Sequence, residues 1–187
     1  MSVAALLLCP AAFADTFNFT YSGMGTIGST PTNFTGSGTF TATSTGTTGE
    51  YLINSVSGTA NGVAIAGLLA PGIYPSASSG NPPNDNFIFF PLASGGALDL
   101  NGFSFDTADG TDYNIYYFDP GYGLVTDPNF DGTDSLTFTL TDDTTGTTVV
   151  GAPGGSTAAA TPEPGSLALL ATGVFGIAGV VRRRFTF

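Results

Sequence analysis

Histidine, lysine and tryptophan are missing from this chain of 187 residues, and its one cysteine, Cys9, sits in the N-terminal apolar run. The basic residues number 3, all in the terminal triplet Arg182-Arg183-Arg184, whereas the 14 carboxylates all precede that triplet. Each absence excludes a class of chemistry. Without His or a second Cys there is no serine or cysteine triad, no His/Cys zinc centre and no disulfide, and without Arg or Lys there is no arginine clamp in the body. A body with carboxylates and no cation is repelled by nucleic acid and by anionic lipid. Carboxylate chemistry alone survives, and a glycosidase needs two acids held about 5 to 9.5 Å apart across a cleft. Asp85, Asp109, Asp119, Asp127 and Asp131 stand beside Gly, Asn or Pro, where turn formation accounts for them, so the chain reads as non-catalytic.

Helix formers such as Lys and Glu are nearly absent, Lys entirely so. Phe, Tyr, Val, Ile and Thr recur with period two instead, which points to strands. In Ser135–Thr141 the residues Leu136, Phe138 and Leu140 share one face and hydroxyls fill the other. Phe17, Phe19 and Tyr21 alternate with Asn18 and Thr20; Tyr51, Ile53 and Val56 mark a third strand; Phe87–Phe90 and Asn114–Phe118 are apolar enough to be central ones. Turn signals punctuate them at Asn61-Gly62, Asn101-Gly102, Asp109-Gly110, Asp119-Pro120-Gly121 and Asp131-Gly132. Short strands at this spacing predict an all-β fold, an antiparallel β-sandwich of jelly-roll type over residues 15–150. Pro71–Asp85 reads as a long surface loop and residues 151–161 as a flexible spacer.

Within the body, Asp127-Pro128-Asn129-Phe130-Asp131-Gly132-Thr133-Asp134 places oxygen ligands at alternate positions with a glycine for the turn. This is the first half of a calcium loop, and Asp127, Asn129, Asp131 and Asp134 are the candidate ligands. Position twelve is Phe138, which excludes an EF-hand. Asp106, Asp109 and Asp112 form a weaker cluster, and turn building explains both stretches equally well. Calcium is the one cofactor this composition offers. Tyr113, Tyr116, Tyr117 and Tyr122 are candidate stacking platforms for a sugar, with packing into the core as the competing explanation.

The two ends speak of destination. Val3–Leu8 is an apolar core and Ala12-Phe13-Ala14 an A-x-A cleavage site, so residues 1–14 read as a signal peptide, shortened at its start because no basic residue precedes the apolar core. At the other end, Thr161-Pro162-Glu163-Pro164-Gly165-Ser166 precedes the apolar run 167–181 and the arginines. That run spans about 22 Å as a helix against a hydrocarbon core of about 30 Å, a thin transmembrane helix with snorkelling arginines. Arg182, Arg183 and Arg184 orient it in the inner membrane with the C-terminus inward, which places the body outside.

Pro162-Glu163-Pro164, the apolar span and the arginine cluster together resemble the PEP-CTERM sorting tail, here residues 162–187. The resemblance implies that Pro162, Glu163 and Pro164 are recognised by an exosortase, a membrane protease-transpeptidase that cuts near this motif and frees the body at the cell surface or outside it. Ser57–Gly72, Asn84-Asp85-Asn86-Phe87 and Asp109–Phe118 are similar to the bodies of uncharacterised proteins with such tails. The expectation is an exported, non-catalytic structural or adhesive protein of the bacterial envelope or exopolysaccharide matrix, with the polysaccharide as its partner. The alternatives are a calcium-dependent glycan-binding module and a carboxylate-only glycoside hydrolase.

Overall fold

Each row of alternating aromatics becomes the inner face of a strand. A computed structural model describes residues 14–75, 82–91, 96–127, 131–152 and 155–159. In chain order the strands are β1 (Ala14–Ile27), β2 (Thr30–Ser44), β3 (Glu50–Ala60), β4 (Val63–Leu68), β5 (Phe87–Phe89), β6 (Phe103–Thr107), β7 (Asp112–Phe118), β8 (Gly121–Thr126), β9 (Asp131–Asp142), β10 (Thr148–Ala152) and β11 (Gly155–Ala159). Neighbours pair antiparallel in the order β1-β2-β3-β4-β6-β7-β8-β9, and β9 returns to pair with β1.

The sheet therefore closes into an eight-stranded antiparallel barrel, which corrects the expected sandwich. The physical reason lies in the connections and in the glycines. Tight turns such as Asn61-Gly62, with φ of 49° and 81°, join successive strands as hairpins, so the chain meanders instead of crossing between two sheets. Register shifts between Gly23 and Thr26, Thr41 and Ala42, Ile65 and Gly67, and Tyr122 and Leu124 coil the strands. Closure then removes the exposed edges that an open sheet would leave.

Inside, large residues face small ones. Leu140, Phe19, Gly38 and Gly58 stand side by side on β9, β1, β2 and β3, and Phe138, Tyr21, Gly36 and Ala60 form the next row. Rings from β1 fold over the β2 glycines, and Phe19 reaches Phe103 on β6. Phe19 stacks on Phe40 at 4.4 Å, and Phe40 meets Phe103 edge-on at 4.8 Å. Phe17, Phe34, Phe103, Phe105 and Phe138 are fully buried, so the barrel is packed with side chains and has no open calyx.

Outside, β9, β1, β2 and β3 carry hydroxyls and amides in register. Thr139, Thr20, Ser37 and Thr59 make one row and Thr141, Asn18, Thr39 and Ser57 the next. Strand geometry sets these groups about 4.8 Å apart across the sheet and about 6.7 Å apart along it. A membrane-spanning barrel has the reverse arrangement, with its apolar band facing outward.

The long connection between β4 and β5 lies against the outer face of β6 and β7 and is tied down by buried amides. Asn84 Nδ2 donates to Asn86 Oδ1 at 2.8 Å, Asn86 Nδ2 to the Leu69 carbonyl at 2.8 Å, and the Ser104 N–H to Asn86 Oδ1 at 3.1 Å. Asn114 Nδ2 reaches Ser104 Oγ at 2.9 Å, and that hydroxyl donates to the Tyr74 carbonyl at 2.7 Å. Residues 151, 152 and 155–159, read from composition as spacer, continue the chain as a β10–β11 hairpin on β9. No α-helix occurs among the described residues. The transmembrane helix expected at 167–181 lies outside them.

Candidate functional site

Strand β4 reaches only the Thr59–Ala60 end of β3, so the other end of β3, Glu50–Leu52, pairs with β5. Residues 96–99 then stitch β5 to β7. The Phe89 N–H donates to the Ala97 carbonyl at 2.9 Å and the Tyr117 N–H to the Asp99 carbonyl at 2.7 Å. The Ala97 N–H donates to Tyr122 Oη at 2.6 Å. Here the surface folds into a cleft of about 600 Å³, with Phe89, Leu98, Leu100, Tyr117 and Phe118 as apolar walls and Asp99 and Asp119 as its charged groups. That volume lies within the range of about 300 to 1,000 Å³ typical of small-molecule sites.

The two carboxylates are held differently. Asp99 Oδ1 accepts the N–H groups of Asn101 and Gly102 at 3.0 and 2.9 Å. Asp119 Oδ1 accepts the Tyr117 hydroxyl at 3.3 Å, and burial together with that carboxylate raises the Tyr117 phenol above its ordinary value. Behind Asp99 stands Asp85. Burial, opposed by the Phe87 N–H and reinforced by the charge of Asp99, pushes its carboxyl up to about 6. The cleft is therefore built to accept hydrogen bonds and positive charge.

The candidate calcium ligands are divided. Asp131 and Asp134 line one polar hollow of about 380 Å³ with Tyr116 and Thr133. Tyr116 Oη donates to Asp134 Oδ1 at 3.2 Å, and burial followed by the Asp134 charge raises that phenol to about 12. Asp127 instead donates its N–H to the Asp112 carbonyl at 3.0 Å. Burial, then the charges of Asp127 and Asp106, raises the Asp112 carboxyl. Asn129 lies outside the described residues. Among the described residues no group of three or more acidic side chains is close enough to hold a metal ion. Asp131-Gly132, expected as a turn, belongs to β9. In the second cluster Asp109 accepts the Thr107 hydroxyl at 2.6 Å and the Thr111 N–H at 3.2 Å, the pattern of a turn-forming aspartate.

The four tyrosines separate by role. Tyr113 and Tyr122 are buried in the core, Tyr116 faces the polar hollow, and Tyr117 lines the cleft. Sequence reasoning passed over Asp99, Asp119 and the apolar run Ala97-Leu98. The available signal was Leu98-Asp99-Leu100 ahead of the Asn101-Gly102 turn, a carboxylate between two leucines. Ala14 opens β1 opposite Thr43. Ala12, Pro162, Glu163, Pro164, Arg182, Arg183 and Arg184 lie outside the described residues.

Residues 160–184 match the PEP-CTERM protein-sorting motif. No curated protein and no solved structure matches the chain.

Proposed function

From a tail that is a PEP-CTERM sorting motif, and so marks an exported substrate of the membrane protease exosortase, we propose that the body is a non-catalytic structural or adhesive component of the cell envelope or exopolysaccharide matrix. The observation that carries this reading is the outer wall of the barrel. Strands β9, β1, β2 and β3 set hydroxyls and amides side by side in register, with Thr20, Ser22, Ser37, Ser57 and Thr59 exposed and no cation among them. Such a wall offers many weak hydrogen bonds to a hydroxylated polymer and no attraction to nucleic acid or anionic lipid. A packed interior supports the same reading, since it makes the barrel a rigid presenter of surface and leaves no lumen for cargo.

A second reading, a glycan-binding module, is favoured by the cleft at Tyr117 and Asp119. A calcium requirement has narrower support in the shared hollow of Asp131 and Asp134. Intact mass spectrometry of the protein from membrane, supernatant and polysaccharide-matrix fractions, with and without the exosortase, tests the main reading. Loss of the residues after about Thr161 only when the enzyme is present, with the shortened chain in the matrix fraction, is the expected result. A full-length chain held in the membrane of both strains overturns it.

A further inference from the structure

The cleft beside β5 and β7 joins apolar walls to two carboxylates, and no basic residue exists anywhere in residues 1–181 to neutralise them. Asp99 is fixed from behind by the Asn101 and Gly102 N–H groups and crowded by Asp85. Asp119 is exposed at the rim and takes the Tyr117 hydroxyl. An anionic ligand is repelled here. A wholly apolar one would strip water from the carboxylates and return nothing. A neutral sugar matches the walls and the hydrogen-bond acceptors but leaves the charge uncompensated. The chemistry that satisfies both linings is a ring with a C–H face, hydroxyl donors and an ammonium group.

We propose that this cleft binds amino-sugar units carrying a free ammonium within a polysaccharide. The ring rests on the Tyr117 wall, and the ammonium pairs with Asp119 and Asp99. This rests on the matrix reading above and names the chemistry that the matrix must present. The full chain's net charge of −11, with every cation confined to the C-terminal triplet, also means that the body draws a polycation before it docks, so association is fastest at low salt.

Isothermal titration of the mature protein recovered from culture, at near-physiological salt, uses four probes: the tetramers of glucosamine, N-acetylglucosamine and glucose, and a simple alkylamine. Saturable binding of the glucosamine tetramer, about tenfold or more tighter than the other three, is expected. Asp119→Asn and Tyr117→Ala should each weaken it by about tenfold, with the melting temperature of the exposed Asp119→Asn variant unchanged. Equal affinity for all three tetramers, alkylamine binding as tight as the sugar, or many weak sites indifferent to Asp119→Asn overturns the assignment. If amine recognition fails while the mature chain still fractionates with matrix, the cleft assignment falls alone. If the glucosamine tetramer binds but the mature chain never enters the matrix fraction, the matrix reading falls alone.

Discussion

Phe19 and Gly38 are cross-strand partners on β1 and β2, and the Phe19 ring lies over the glycine, where any side chain would stand. A Cβ on Gly38 would meet the Phe19 Cε1 at 2.8 Å and would also run into the backbone oxygen of Ser57 on the other side. The ring cannot readily turn away, because it also stacks on Phe40 at 4.4 Å. Gly38→Ala should therefore cost about 3 kcal/mol in urea unfolding, at the upper end of overpacking penalties, although alanine suits a strand no worse than glycine. An unchanged midpoint would mean that the strands do not approach as closely as the barrel requires.

Tyr21 points the opposite lesson. Its ring fills the interior over Gly36, but its buried hydroxyl has no hydrogen-bond partner among the described residues. Burial, then the neighbouring Tyr113 phenol, raises its pKa far beyond the ordinary phenol range. Removing an unsatisfied buried hydroxyl while keeping the ring gains stability of about 1 kcal/mol. Tyr21→Phe should raise the melting temperature by a few degrees. A lowered melting temperature would show that the hydroxyl is satisfied by an internal water.

Asn86 is fully buried in the left-handed region at φ 63°, which asparagine tolerates better than most side chains. Its amide accepts from Asn84 Nδ2 and the Ser104 N–H and donates to the Leu69 carbonyl. Asn86→Ala would strand those groups and strain the backbone at once, for a loss of about 3 kcal/mol. Because the network ties the β4–β5 connection to β6, amide exchange should rise first at residues 69–75 and 82–86, ahead of β1 and β9. Uniform acceleration across the barrel would contradict a local clasp.

The same residues explain how far sequence reasoning reaches. Phe17, Phe19 and Tyr21, and Leu136, Phe138 and Leu140, show their inner faces by alternation alone, and the strands appear where expected. Closure is hidden because β2 carries Gly36-Ser37-Gly38 at its centre, a weak strand by local propensity. Its strength comes from the Phe19 and Tyr21 rings of β1, and closure comes from β9, which pairs with β1 from more than a hundred residues further along the chain. The candidate site is hidden for a similar reason. Asp131 and Asp134 are close in sequence and share their hollow, whereas Asp99 and Asp119 line one cleft only because residues 96–99 are stitched between β5 and β7. Asn84, Asn86 and Asn114 are buried, so the amides in these polar stretches hold structure where composition alone suggested only loop.

The Asp85 and Asp99 pair sets a direction for the response to pH. Burial and the adjoining Asp99 charge raise the folded-state pKa of Asp85 to about 6, against about 3.9 for an aspartate in an unfolded chain. A group raised in this way lends its full stability below the unfolded value, and that stability is lost as pH rises through the folded one. Stability should thus decline between about pH 4 and pH 7. Asp85 is only half-buried and solvent screens the pair, so the contribution is about 1 kcal/mol. Repulsion among the other carboxylates slopes the same way, which makes the difference between variants the informative quantity. Asp85→Asn keeps an acceptor for the Phe87 N–H, now 3.2 Å from Asp85 Oδ1, and removes the charge facing Asp99. Its melting temperature should equal that of the parent near pH 4 and exceed it by a few degrees at pH 7. Parallel profiles across that range would mean that Asp85 is ionised alongside Asp99 at no cost, and the two carboxylates would then have to be solvated separately.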